Sequence, residues 1–215
     1  MLRKKLDPTI TSYVGPMWAG KSSEMCTAVE RHAIAGRKCI IVKHGNDTRY
    51  NHLSKSGGLV THRGIEYGCS SPDINQITDE PRSYIRIITA TSLSELNKYV
   101  FGENPAEVIG VDEAQFFPDA PEILAYWVES GIVVKVACLD SDWRMKPFGR
   151  VPEILALSDV IDKRSAVCMK CGSNAPFTAK ISGSINKIEE VGGKDKYIAA
   201  CRKCHMIYGA KDVCK

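Results

Sequence analysis

Gly15-Pro16-Met17-Trp18-Ala19-Gly20-Lys21-Ser22 fits the pattern G-x-x-x-x-G-K-[ST], a glycine loop that cradles polyphosphates. Its flanks suit that role. Ile10–Val14 before it is short and β-prone, and residues 23–35 after it carry Met25, Val29, Ala33 and Ile34 at helical spacing. Strand, glycine loop and helix in this order let the loop N–H groups and the helix N-terminus face an anion together. In such a loop Gly20 lets the backbone approach, Lys21 reaches the β- and γ-phosphates, and Ser22 offers a hydroxyl to Mg²⁺. A glycine turn that merely joins strand to helix is the bland alternative. The flanking elements and a downstream acid argue against it.

Working outward, residues 37–43 read as a second buried strand, 84–90 as a third, 107–112 as a fourth and 132–139 as a fifth. Residues 46–64, with Gly57-Gly58, read as a loop or hairpin. Ser92 and Glu95 have the capping-box spacing at the start of a helix. Residues 118–130 read as a helix with Pro121, Ile123, Leu124, Tyr126, Trp127 and Val128 on its apolar face. Strands alternating with helices predict an α/β fold with a mostly parallel sheet flanked by helices, as in P-loop NTPases. The glycine loop, Asp112-Glu113 and Asp140-Ser141-Asp142-Trp143 each follow a strand, so they are expected to meet on one edge of the sheet.

Asp112 ends an apolar strand and is placed to order Mg²⁺ with Ser22. Glu113 beside it is the candidate proton acceptor, for a hydroxyl or for water. Of the nearby aromatics, Phe117 and Phe148 are expected in the core, whereas Phe116 and Trp143 suit a flat pocket for a base.

Cys168, Cys171, Cys201 and Cys204 form two C-x-x-C pairs, the knuckles of a structural Cys₄ zinc site. The 29 residues between the pairs exceed the usual ~15–20 and imply a loop stapled at its base. A redox role is disfavoured because neither pair is expected to open a helix after a strand. His205 could replace a ligand, but four thiolates already fill the site. Cys26, Cys39 and Cys138 lie in apolar runs and are expected in the core. The expected organisation is a main domain, 1–165, and a small zinc-ribbon or lasso domain, 166–215.

Length and composition agree. The chain has 215 residues, 44% hydrophobic, with a formal charge of +4 and nine cysteines. That is room for one sizeable core, with reduced thiols in place of a disulfide scaffold. Residues 1–8 are basic without a following apolar stretch, and no run reaches membrane-spanning length, so a cytoplasmic protein without a membrane partner is expected. The charge is too small to argue for specific nucleic-acid binding. Lys170, Lys180, Lys187, Lys194, Lys196, Arg202 and Lys203 nevertheless keep a zinc-ribbon nucleic-acid binder as one rival. A P-loop ATPase or recombinase, with Glu113 serving water, is the other.

Taken in order, residues 15–22, Asp47-Thr48-Arg49-Tyr50, Asp112-Glu113-Ala114-Gln115-Phe116-Phe117, Lys146-Pro147-Phe148-Gly149, the two cysteine pairs and Gly192-Gly193-Lys194-Asp195-Lys196-Tyr197 resemble the type II thymidine kinases. The resemblance spans nearly the whole chain. It implies transfer of the ATP γ-phosphate to the 5′-hydroxyl of thymidine, with Glu113 as general base. It assigns Gly15, Pro16, Met17, Trp18, Ala19, Gly20, Lys21, Ser22, Ser23, Arg49, Asp112 and Gln115 to the phosphates. It assigns Met17, Phe116, Leu139, Trp143, Thr178, Val191 and Tyr197 to the nucleoside, with Phe116 and Trp143 stacking on thymine and the loop above the zinc closing over the base. Phenylalanine is usual where this chain has Trp143. The resemblance also implies a homotetramer and feedback inhibition by thymidine triphosphate.

Overall fold

Ile10–Val14 (β1), the β-prone run before the glycine loop, is buried along its whole length. In the computed structural model, which describes residues 5–45, 59–60, 66–67, 84–184 and 192–209, β1 leads through the loop into helix α1, Lys21–Ile34. There follow β2 (Cys39–His44), a two-residue antiparallel pair β3 (Leu59–Val60) and β4 (Glu66–Tyr67), and β5 (Ile85–Ala90). Then come α2 (Asn97–Val100), β6 (Val108–Val111), α3 (Ala120–Glu129), β7 (Val133–Cys138), α4 (Val151–Leu157) and β8 (Val160–Lys163).

Six strands form one sheet in the order β5-β2-β6-β7-β1-β8, every pair parallel. Such sheets are stable only when both faces are covered. Helix α1 covers one face with Met25, Cys26, Val29 and Ala33 against Tyr13, Ile41, Ile85 and Val108. On the other, Leu93, Leu96, Leu124, Trp127 and Ile154, from the segments between strands, pack on Ile40, Ile109, Val134 and Val136. Cys26, Cys39 and Cys138 are buried, as expected. Ile34 and Tyr126 are exposed instead, because each lies just off its helix's buried stripe.

Two local readings change. Ser92 and Glu95 form no capping box: the turn at Ser94–Leu96 has no side-chain cap of its own. The Asp119 carboxylate accepts from the N–H groups of Leu93 and Ser94 and from Ser92 Oγ, doing the capping from 25 to 27 residues away. Those bonds outweigh burial and hold the Asp119 carboxyl below its ordinary range. The second change is that α4 and β8 fill residues that the sequence pattern left unassigned. Strand β8 is a four-residue edge strand, largely exposed, and so carries little apolar signal.

After β8 come β9 (Ala166–Val167), β10 (Asn174–Ala175), β11 (Phe177–Lys180), β12 (Tyr197–Ala200) and α5 (Arg202–Tyr208). β9 pairs with β10 and β11 with β12, both antiparallel.

Helix α1 approaches the sheet closely over Gly110, where a Cβ would stand 2.5 Å from Met25 Sδ and 3.0 Å from Val29 Cγ2. Gly110→Ala should therefore overpack a buried contact and cost about 1–3 kcal/mol in a urea titration. Wild-type stability in that variant would contradict the close approach.

Candidate active site

Strands β1, β6 and β7 are neighbours and parallel, so the segments leaving their carboxyl ends share one edge. The glycine loop, Asp112-Glu113 and the 140–143 turn are brought together as the strand pattern required. Ser22 Oγ donates to Asp112 Oδ1 at 2.7 Å, joining the first turn of α1 to the end of β6 across 90 residues. Hydroxyl and carboxylate thus already stand at hydrogen-bond distance, a pair of hard oxygen donors of the kind Mg²⁺ takes with phosphate oxygens.

The loop itself is held from three sides. Gly15 has φ +139°, and a Cβ there would lie 2.3 Å from the Arg164 carbonyl oxygen. Arg164 reaches back with Nε to Ala19 O at 3.2 Å and with its guanidinium to Glu24 and Asp162. On the third side the Met17 N–H donates to Thr178 Oγ1 at 2.9 Å, a buried bond from β11. Trp18 holds φ +62° and packs its side chain among Ala166, Ala175 and Ile198 beyond β8. Lys21 is folded onto the loop, donating to Pro16 O at 2.8 Å. Burial lowers its pKa, opposed by the charges of Glu113 and Asp112.

Glu113 sits in the left-handed region, φ 52° and ψ 43°, uncommon for a side chain of this kind. Its Oε2 accepts from Gln115 Nε2 at 2.5 Å, while Gln115 Oε1 accepts from Leu139 N–H at 3.0 Å. Gln115, buried, therefore bridges the acidic pair to the end of β7. The resemblance assigns Gln115 to phosphate; its amide is here engaged with Glu113 and the segment after β7.

The aromatics divide into two groups. Phe116, half-buried, meets Phe148 edge-on at 5.8 Å and His44 at 5.5 Å, and Phe117 is core, as expected for Phe117 and Phe148. Trp143 packs with Met17 and Tyr197, with Trp18 and Leu139 beside them. Lys180 is fully buried. Its Nζ lies 5.8 Å from the Trp143 ring centre and 5.9 Å from that of Tyr197, and donates to Ser184 O at 2.5 Å. It is thus withdrawn from the basic surface that the nucleic-acid rival needs. Arg49 and Val191 lie outside the described residues, as do the rest of the 47–50 motif and Lys187.

The four paired cysteines converge: their sulfurs all lie within 4.8 Å of one another. Four thiolates around Zn²⁺ at ≈ 2.3 Å would stand roughly 3.8 Å apart, so the donor set fits that ion. Burial pushes the Cys168 thiol up, but hydrogen bonds from the backbone of Cys201, Lys170 and Cys171 outweigh it and bring it down to about 6. Burial and the other three sulfurs push Cys204 up to about 12, the cost of gathering thiols without a counter-charge. One premise of the sequence reading fails: Cys201 follows β12 and is the N-cap of α5, so this pair does open a helix after a strand. The four-sulfur cluster, not the helix, argues against a redox pair. His205 is no spare ligand either. Its Nε2 lies 2.8 Å from Trp143 O, tying α5 to the turn after β7.

No helix among the described residues is long and apolar enough to cross a membrane. A parallel sheet with a glycine loop after β1 and an acidic pair after β6 defines an α/β protein of the P-loop class. A family model described as thymidine kinase matches residues 8–205. The thymidine kinase of Raccoon poxvirus is 37% identical over 193 residues, covering 90% of this chain and 94% of that protein. That of Rabbit fibroma virus (strain Kasza) is 36% identical over 193 residues, 90% and 93% of the two chains. That of Fowlpox virus (strain NVSL) is 34% identical over 190 residues, 88% and 92%. The chain belongs to the thymidine kinase family.

Gly15→Ala should strain the loop twice, through φ and through the Arg164 carbonyl. The expected loss is about 2–4 kcal/mol, or roughly 5–15 °C in Tm. A variant that melts with wild type would remove the contact.

Proposed function

We propose that the protein transfers the γ-phosphate of ATP to the 5′-hydroxyl of thymidine, yielding thymidine monophosphate for nucleotide salvage. Membership of the thymidine kinase family supports the substrate. The observation that carries the chemistry is the joining of Ser22 to Asp112 at 2.7 Å with Glu113 next in the chain. The loop of residues 15–22 and Ser23 bind the polyphosphate through backbone N–H groups other than those of Pro16, which has none, and Met17, which serves Thr178, and Lys21 exchanges Pro16 O for phosphate oxygens. Ser22 and Asp112 would hold Mg²⁺, which neutralises charge on the β- and γ-phosphates. Arg49 is assigned to the transferred phosphate.

Glu113 is the general base. As the 5′-oxygen bonds to the γ-phosphorus, the bond from that phosphorus to the bridging oxygen breaks, ADP leaves, and the hydroxyl proton passes to the Glu113 carboxylate. Phosphoryl transfer has a loose transition state, so the proton can leave late and a carboxylate suffices when it is held in reach. Gln115 does the holding. Asp112, bonded to Ser22, is the less available acid. The base of thymidine lies between Phe116 and Trp143, lined by Met17 and Leu139 and closed over by the segment carrying Thr178, Val191 and Tyr197. Such a slot takes one ring better than a purine's two.

Cys168, Cys171, Cys201 and Cys204 hold one structural Zn²⁺, whose charge offsets the gathered thiolates and which staples residues 166–215 as a unit on the main domain, 1–165. The protein works in the cytoplasm as a homotetramer and is inhibited by thymidine triphosphate, as its family suggests.

Glu113→Gln keeps the shape but cannot take the proton, so kcat should fall by about 10²–10⁴, roughly 3–5 kcal/mol of barrier, with thymidine binding little changed. Lys21→Met should nearly abolish transfer. If wild type hydrolyses ATP equally with and without thymidine and makes no thymidine monophosphate, Glu113 serves water and the kinase reading fails.

Metal analysis should find one zinc per chain. Cys171→Ser with Cys204→Ser should raise the KM for thymidine before it lowers kcat, because Thr178 and Tyr197 stand on the strands that the cluster anchors. Full activity in that double variant would rule out the staple.

A further inference from the structure

Among the described residues, two buried side-chain polar atoms have no hydrogen-bond partner, Asp140 Oδ1 and Trp143 Nε1. Both belong to the short turn after β7. Buried polar atoms are nearly always paired, so an orphan in a folded chain calls for a reason. Asp140 is partly accounted for, since its Oδ2 pairs with Lys163 Nζ at 3.0 Å. Trp143 is not.

The indole N–H can only donate. The residue is 3% exposed and packed against Met17 and Tyr197. Its carbonyl is engaged by His205 at 2.8 Å, and the Lys180 and Arg144 cations lie 5.8 and 5.7 Å from its ring centre. Backbone and ring are thus fixed, while the one polar atom of the side chain meets no acceptor. A phenylalanine would fill most of the same apolar space without that penalty. Beyond a larger ring, tryptophan adds a buried donor to this position, beside the residues assigned to the nucleoside.

We propose that the Trp143 N–H is a specificity-determining donor, satisfied by an acceptor oxygen of the bound nucleoside, either a base carbonyl or a sugar hydroxyl. The inference rests on the kinase reading above. A ligand that lacks the acceptor leaves the donor unpaired a second time, and sites built around a hydrogen bond discriminate strongly on that ground. If the acceptor is the 4-carbonyl of thymine, the 4-amino group of cytosine would set donor against donor.

The test replaces Trp143 with benzothienylalanine, in which sulfur takes the place of the N–H at nearly constant shape, with Trp143→Phe as the second variant should the first not fold. Steady-state kinetics would compare thymidine with 3′-deoxythymidine, 2-thiothymidine and 4-thiothymidine. For thymidine, the isostere should raise KM about tenfold, equivalent to roughly 1.4 kcal/mol, with the loss falling on KM more than on kcat. One analogue, the one whose acceptor is removed or weakened, should show no difference between wild type and variant, and it identifies the partner oxygen. A KM for thymidine within twofold of wild type overturns the proposal. So does an equal loss with all three analogues, which would mean that shape and not the hydrogen bond matters. A wild-type enzyme that makes no thymidine monophosphate defeats the kinase reading itself, and the proposal with it.

Discussion

The hydrogen bond from the Met17 N–H to Thr178 Oγ1 joins the two ends of the chain at the place where the chemistry is expected. A glycine loop must keep most of its N–H groups free for a ligand, so few of its own atoms can hold it in shape. Support has to come from outside. Here it comes from the Arg164 carbonyl against Gly15, the Ser22–Asp112 bond and the Thr178 hydroxyl. The left-handed backbone at Trp18, costly for a bulky residue, is held by packing its indole into the small strands of the cysteine module. Phosphate loop and cysteine module are for this reason one mechanical unit.

The same contact orders the other half of the site. Tyr197 and Lys180 belong to the strand pair that carries Thr178, and they meet Trp143 at the end of β7. His205, one residue beyond the last cysteine, holds the Trp143 carbonyl. Zinc at the cysteine cluster would therefore act at a distance, by fixing the strand and helix that shape the nucleoside side, and would need no open coordination position. Burial of Lys180 among two aromatic rings and a carbonyl is part of that arrangement, and it takes one cation of a basic stretch off the surface, while Lys170, Lys194, Arg202 and Lys203 stay exposed.

Much of this was legible in the sequence because it is written in local patterns. Short β-prone or apolar runs marked five of the six sheet strands, and the glycine loop, the acidic pair and the cysteine pairs kept their spacing wherever they lay. What was not legible depends on partners distant in sequence. Asp119 caps a turn 25 residues upstream, Gln115 bridges Glu113 to Leu139, and Arg164 braces a loop 145 residues before it. No periodicity announces such contacts. Strand β8 escaped notice for the opposite reason: as an exposed edge it carries little apolar signal. The helix that Cys201 opens was missed because a four-residue strand running straight into a cysteine cap leaves no ordinary capping signature.

In the proposed reaction two substrates meet across one loop, with triphosphate on residues 15–22 and nucleoside under Thr178 and Tyr197. A crystal structure with thymidine and a non-hydrolysable ATP analogue tests that arrangement directly. The expected result places the 5′-hydroxyl within about 3.2 Å of the Glu113 carboxylate, in line with the γ-phosphate. A thymidine bound away from Glu113, or a triphosphate away from the loop, would contradict it.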